Sequence, residues 1–294
     1  MLTTLRVLLL SVCALGTIHV QESTRRVYVS VLDNDGNSID DLTAADFTVK
    51  EGGKERTITR VEPAIAKMQI AIIVDDNGTG LFRVAVARFI EALLGRAEFS
   101  ISTVMGQTLK LVDYTTSNQE LSEAVMKLGA RPSSNDGGQL LDGITQTSVD
   151  MARRKAGRPI IIALTVGGED VTPMPPHLAL DQLRDSGAAL HVVAVLNSAM
   201  RQTAAPTRPS DLLNENLGLH EILGDGPKRS GGHREEISAM AGVSTGLEKL
   251  AEQLKRQYVI EYSLDGAKPS DRLNVSVKRK GVTLRAPTHI PNKS

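Results

Sequence analysis

The chain has no tryptophan, and aromatic residues make up only 3% of its 294 positions. That excludes the aromatic platforms on which sugars or single-stranded nucleic acids stack. Its one cysteine, Cys13, lies inside an apolar N-terminal segment. Without that segment there is no thiol for catalysis, for a disulfide or for a cysteine-based zinc site. Charge of one sign is also lacking. Thirty-four basic and 34 acidic side chains leave a formal net charge of +0, so nothing draws the whole molecule to nucleic acid or to an anionic membrane. The six histidines show no metal-ligand spacing, and His191, inside an apolar run, reads as a hydrogen-bonded core residue. Beyond the N-terminus no apolar stretch is long enough to span a bilayer.

What is present is an ordinary globular balance, 41% hydrophobic and 23% charged, with enough apolar material for a substantial core. The opening "MLTTLRVLLLSVCALGTIHVQES" carries one arginine, then an apolar run, then small residues. This is the pattern of a secretory signal, here over residues 1–20. It implies export to the periplasm or the exterior. Lipidation at Cys13 fits less well, because Val12 precedes it and the apolar run would be very short.

Residues 25–64 alternate like β-strands, with Val27, Val29 and Val31 on one face and turns at Asn34-Asp35-Gly36 and Gly52-Gly53. From Lys67 to 257 strand and helix patterns alternate. Ile70–Val74, Arg158–Val166 and Ala188–Leu196 are continuous apolar runs, the mark of parallel strands buried on both faces. Between them lie helical patterns at Leu81–Leu94, from a cap at Asn118 through Leu128, at Leu140–Lys155 and at Pro176–Ser186. Residues 197–233 are rich in turn formers and read as one long loop, with helices expected at Glu235–Ala241 and Leu247–Gln257. Residues 258–290 return to alternation. The pattern predicts an α/β protein with a Rossmann-like, doubly wound, mostly parallel sheet. It adds a small β-subdomain in which 258–290 pairs with 25–64.

The segment "IAIIVDDNGTG", Ile70–Gly80, carries the chemistry. In an open α/β sheet, ligands sit beyond the carboxyl ends of the strands. There Asp75, Asn77 and Thr79 offer oxygens at alternate positions, the spacing of a cradle for a hard cation such as magnesium.

This loop resembles the Asp-x-Ser-x-Ser loop of the von Willebrand factor A domain, whose metal-ion-dependent adhesion site follows the first strand. The β-rich leader "VYVSVLDNDGNSIDDLTAADFTVKEGGKERTI" and the ending "LAEQLKRQYVIEYSLDG…DRLNVSVKRKGVTLRAP" are similar to those of an exported bacterial subfamily. The resemblance implies a Rossmann-like core and a protein-binding or adhesive role. It also implies metal ligands at Asp75, Asn77 and Thr79. Two departures stand out. Gln139 in "NDGGQLLDGI" takes the place of the second loop's threonine, and Val166 in "ALTVGGED" takes that of the third loop's aspartate. Only one of the two expected carboxylates remains, which weakens the attraction for a divalent ion. No resident cofactor is therefore expected, and magnesium at most weakly. The expected contact surface is the loops Asp75–Gly80, Asn135–Gln139 and Val166–Thr172. Asp76, Gly78, Asp136, Gln139, Glu169 and Asp170 would meet a protein partner outside the cytoplasm.

Other motifs compete. "VDDNGTG" also resembles the nucleophile loop of haloacid-dehalogenase-type phosphatases, with Asp75 as nucleophile. However, Asn77 stands where the acid should be, and an amide cannot transfer the proton. Gly242-Val243-Ser244-Thr245-Gly246 matches a nucleophile elbow, yet no strand pattern precedes it, and Ser244 reads better as a helix cap. "GPKRSGGHR" reads as a basic glycine-rich loop. "VKRKGVTLR" reads as an edge strand protected by charge.

Overall fold

A strand covered by helices on both faces must be apolar at every position, and two such strands form the centre of this protein. The computed structural model describes residues 24–129, 138–168, 170–195 and 217–292. The signal pattern at 1–20 lies outside them. The β-rich leader contributes β1 (Thr24–Leu32), β2 (Phe47–Glu51), β3 (Lys54–Arg56) and β4 (Ile58–Pro63). The α/β portion follows as β5 (Met68–Asp75), α1 (Arg83–Ala92), β6 (Ala97–Met105), β7 (Gln107–Thr115), α2 (Asn118–Lys127), α3 (Leu140–Arg154), β8 (Pro159–Thr165), α4 (Pro176–Ser186) and β9 (Ala189–Val195). Then come α5 (Leu217–Ser230), β10 (Arg234–Ile237), α6 (Ala241–Lys255), β11 (Tyr258–Ser263), β12 (Leu273–Val277) and β13 (Thr283–Arg285).

The main sheet runs β10-β9-β8-β5-β6-β7. All neighbours are parallel except β7, which returns antiparallel beside β6 as a hairpin edge. All seven residues of β8 are buried, as is every residue of β5 but Gln69. On one face Ile70, Ile72 and Val74 pack with Phe82, Phe89, Leu121, Leu250 and other residues of α1, α2 and α6. On the other, Ala71, Ile73, Ile161 and Ala163 pack with Leu141, Leu183 and Ile222 of α3, α4 and α5. In α1 the buried residues Ala85, Val86, Phe89 and Ile90 recur with helical spacing.

The chain ends meet as the alternating patterns predict. β11 lies between β1 and β4 in the order β13-β1-β11-β4, and β12 pairs with β2 in the order β12-β2-β3. Val27, Val29, Val31, Phe47, Tyr258, Ile260 and Tyr262 form their core. The turn at Asn34-Asp35-Gly36 closes only one bridge, Leu32 with Ser38, because β1 and β2 belong to different sheets. The Gly52-Gly53 turn does close a hairpin, with both glycines at positive φ as a two-residue turn of primed type requires.

Several readings are corrected. Residues 217–230 of the expected loop form α5, which carries Gly224, Gly226 and Pro227 within it and packs Ile222 and Leu223 into the core. Tertiary packing overrides the turn-forming composition there. "GPKRSGGHR" is thus the end of a helix and the entry to β10, not a loop before a helix. Arg234–Ile237 is a strand parallel to β9, not a helix, and α6 starts at Ala241. Ser244 lies inside α6, and Ser117 rather than Asn118 caps α2, its Oγ accepting from the Glu120 amide. Three of the basic side chains near residue 280 have separate partners. Arg279 pairs with Asp41, Lys278 donates to the Ala45 carbonyl and Arg285 donates to Gln253.

One buried charge holds the β-subdomain together. Glu51, 0% exposed, accepts from Arg25 Nη1 at 2.8 Å, the Tyr262 hydroxyl at 2.7 Å and the Ser270 amide at 2.7 Å. Glu51→Ala strands the Arg25 cation in the interior and is expected to lower stability by about 3 kcal/mol, read from urea denaturation. A change below about 1 kcal/mol would contradict the role assigned to this network.

Candidate functional site

The strand order reverses between β5 and β8. Helices leave the sheet on opposite faces there, which opens a crevice at the strands' carboxyl ends. Asp75 ends β5 directly opposite Thr165 at the end of β8. The Thr165 hydroxyl donates to Asp75 Oδ2 at 2.8 Å, and the same hydroxyl accepts from the Gly167 amide at 2.9 Å. The Val166 amide donates to the Asp75 carbonyl at 3.0 Å. Asp75 is 8% exposed. Burial pushes its carboxyl up to about 6, Thr165 pulls it back, and Asp170 and Asp76 push it further up.

Beyond Asp75 the chain makes a tight turn. The Asp76 carbonyl accepts from the Thr79 hydroxyl at 2.7 Å and from the Thr79 amide at 3.2 Å, and Asp76 Oδ1 accepts from the Gly78 amide at 3.1 Å. The side chain of Asp76 is buried. Among the described residues its Oδ2 has no donor. Asn77 takes a left-handed conformation, φ 53°, and like Thr79 it is exposed. The turn is held from behind. Arg83 Nε donates to the Leu128 carbonyl at 3.0 Å, and a Cβ on Gly129 would come within 2.4 Å of Gly80, so two glycine backbones pass in near contact.

The second and third loops are tied to each other. Gly138 and Asp170 form a parallel bridge, and the Val171 amide donates to the Gly138 carbonyl at 2.9 Å. Asp170, buried, accepts from the Leu141 amide at 3.0 Å and from the Thr172 amide at 2.9 Å. It thereby caps α3 from another loop, while Gln139, at the N-cap position, makes no side-chain cap. The Gln139 carbonyl accepts from the Thr108 hydroxyl at 3.3 Å. Val166 is buried in the core cluster.

Asp75, Asp76 and Asp170 therefore come within electrostatic reach of one another, and Asn77, Gly78 and Thr79 form the rim above them. Asp136 and Glu169 lie outside the described residues. No three His, Cys, Asp or Glu side chains among the described residues form a metal-holding group. Thr165 and Thr172 complete the site; Thr165 is missing from the sequence-derived set, and Thr172 enters it only as the end of the expected third loop. Their signal is weak, a hydroxyl beside each loop aspartate's partner strand or helix, and it acts only across the fold. The elbow-like Gly242–Gly246 lies wholly within α6, so no strand presents Ser244. His191 makes no hydrogen bond at either ring nitrogen among the described residues. This corrects the hydrogen-bonded reading: burial drives its basicity down, to about 3, with Arg285 and His233 adding to it.

The Asp75 carboxyl has a consequence for stability. In the unfolded chain it titrates near the ordinary 3.8, in the folded one near 6. Between those values the folded state holds the extra proton, so stability falls as pH rises from about 4 to about 6 and the loss is complete above that. Asp75→Asn removes this dependence. The melting temperature of the variant relative to wild type, in chelator, is expected to rise across that window and level off above it. A constant difference from pH 4 to pH 8 would contradict the burial assigned to Asp75.

No protein-family model matches the chain, and no curated protein matches its sequence. Solved structures align with it at low identity. One is the open form of the pilus adhesin SpaC from Lactobacillus rhamnosus GG, at 10% identity, TM-score 0.45, covering 88% of this chain and 48% of that one. A von Willebrand factor type A protein from Catenulispora acidiphila aligns at 10% identity, TM-score 0.44, over 92% of this chain and 75% of that one. The von Willebrand factor domain of the type V pilus tip protein Mfa5 from Porphyromonas gingivalis aligns at 10% identity, TM-score 0.44, over 65% of this chain and 96% of that one. The chain thus spans about half the length of the SpaC adhesin. At these scores the alignments accompany the fold without carrying it. The mostly parallel α/β sheet rests on the strand order, and the site on its place at the reversal between β5 and β8.

Proposed function

We propose that this chain is a non-catalytic, exported binding module of von Willebrand factor A type. It meets a protein partner through the rim at the carboxyl ends of β5 and β8, with weak or no divalent metal. The observation that carries the reading is the engagement of the carboxylates. Asp75 is buried against Thr165, Asp170 caps α3, and Val166 fills the place of a further acid with hydrocarbon. What remains is the second oxygen of Asp75, one buried acceptor oxygen on Asp76 and the neutral oxygens of Asn77 and Thr79. Hard divalent cations are held by several oxygens with negative charge among them, and this set offers little charge. An exposed amide, an exposed hydroxyl and free loop backbone instead suit direct hydrogen bonds to another protein. The same facts weigh against a phosphatase. Its nucleophile would be a buried, hydrogen-bonded carboxyl, and the Asn77 amide is too weak an acid to protonate a leaving group.

A photo-activated cross-linker placed at Asn77, in the full chain in its exported fraction, is expected to capture a discrete partner. The same group at Lys268, exposed on the β-subdomain, is expected to capture none. Equal capture at both positions, or none from Asn77, would contradict the proposal.

A further inference from the structure

At the opposite end of the sheet from Asp75, the amino ends of β8 and β9 face the start of β1 and the tail after β13 across a cavity of about 440 Å³. That is the size range of small-molecule sites. Six arginines line it: Arg25, Arg26, Arg158, Arg184, Arg229 and Arg272. Against them the lining holds only two carboxylates, Asp181 and Asp271, with His289 beside them.

Several of these cations are already answered. Arg25 pairs with Glu51, Arg26 with Glu261, Arg184 with Asp181, Asp185 and Asp271, and Arg229 with Asp225. Arg184 and Arg229 also lie in the last turns of α4 and α5, where helix carbonyls favour a cation. Two arginines are left over. Arg158 is 3% exposed, and every acceptor it has is neutral: the carbonyls of Ala64, Ala66 and Leu254 and the Gln257 side chain. Its Nε has no partner among the described residues, and its ring neighbour is Tyr28, 5.2 Å from the guanidinium carbon. Burial draws its basicity down to about 10. Arg272 makes no ion pair with a described residue and stands opposite His289 in an antiparallel bridge, which sets the two side chains on one face. His289 is disfavoured as a cation, first by burial and then by Arg272 and Arg229.

A buried arginine without a carboxylate is costly. Here it lines a cavity with His289 and with an arginine that makes no ion pair among the described residues. We infer that this seam binds a small oxyanion, a phosphate or carboxylate group on a compact molecule, as a second site separate from the rim at Asp75. Arg272, Arg229 and His289 would take the charged group at the mouth. Arg158 supplies uncompensated positive potential from the wall, and Leu180, Leu183 and Ile290 offer apolar surface to the rest of the molecule.

Isothermal titration of the full chain with pyrophosphate and with citrate, each against sodium chloride of matched ionic strength, tests this. Saturable binding of at least one is expected, with a rise in melting temperature. The double variant Arg229→Gln, Arg272→Gln alters groups at the mouth, Arg272 being exposed, and is expected to melt like wild type without anion yet bind at least tenfold more weakly. Preference for pyrophosphate identifies a phosphate ligand, and preference for citrate a carboxylate. No saturable binding beyond the chloride control, or unchanged affinity in the double variant, would overturn the inference. Neither result depends on what the rim at Asp75 binds.

Discussion

A carboxyl group at the end of a strand covered on both faces must find a hydrogen-bond donor or keep its proton. Asp75 is in that position, and the pairing of β5 with β8 decides how it is met. The register places Thr165 opposite Asp75, and the threonine hydroxyl supplies the donor. Because Thr165 also accepts from Gly167, the same contact sets the start of the third loop. That loop carries Asp170, which caps α3 and so fixes the second loop. The whole rim at the crevice is thus strung from one buried carboxyl–hydroxyl pair.

The sheet and its crevice were legible because their signals are periodic and local. Continuous apolar runs marked β5, β8 and β9, and alternation marked the ends that pair through β11 and β12. Asp75 was legible because a polar cluster follows an apolar run abruptly. What the periodicity missed is non-local. Asp170 acts as the cap of a helix that begins at Leu140, through the Leu141 amide 29 positions earlier in the chain. No reading of the residues next to α3 finds it. Helix α5 was hidden by its glycines and Pro227, whose turn-forming tendency is overcome when Ile222 and Leu223 are buried against β9 and α4. The strand β10 was hidden by Glu235 and Glu236, which an edge strand with a solvated side tolerates.

The two ends of the sheet have opposite character. At the carboxyl ends three aspartates gather and are largely answered by amides and hydroxyls of the chain itself. At the amino ends arginines gather around the seam with the β-subdomain, and two of them have no carboxylate. The pairing of the chain's two ends creates that seam, since Arg25 and Arg26 come from β1 while Arg272 and His289 come from the C-terminal segment. A core of this kind without the terminal strands would have the rim but not the cavity.

The central claim is that the Asp75 rim is built for contact rather than for holding a cation. Carbon-detected nuclear magnetic resonance of the Asp75 carboxyl as a function of pH, with and without millimolar magnesium, tests it most directly. The account predicts a midpoint near 6 in both titrations. A midpoint that falls below the ordinary aspartate range when magnesium is added would show a bound cation at Asp75 and contradict it.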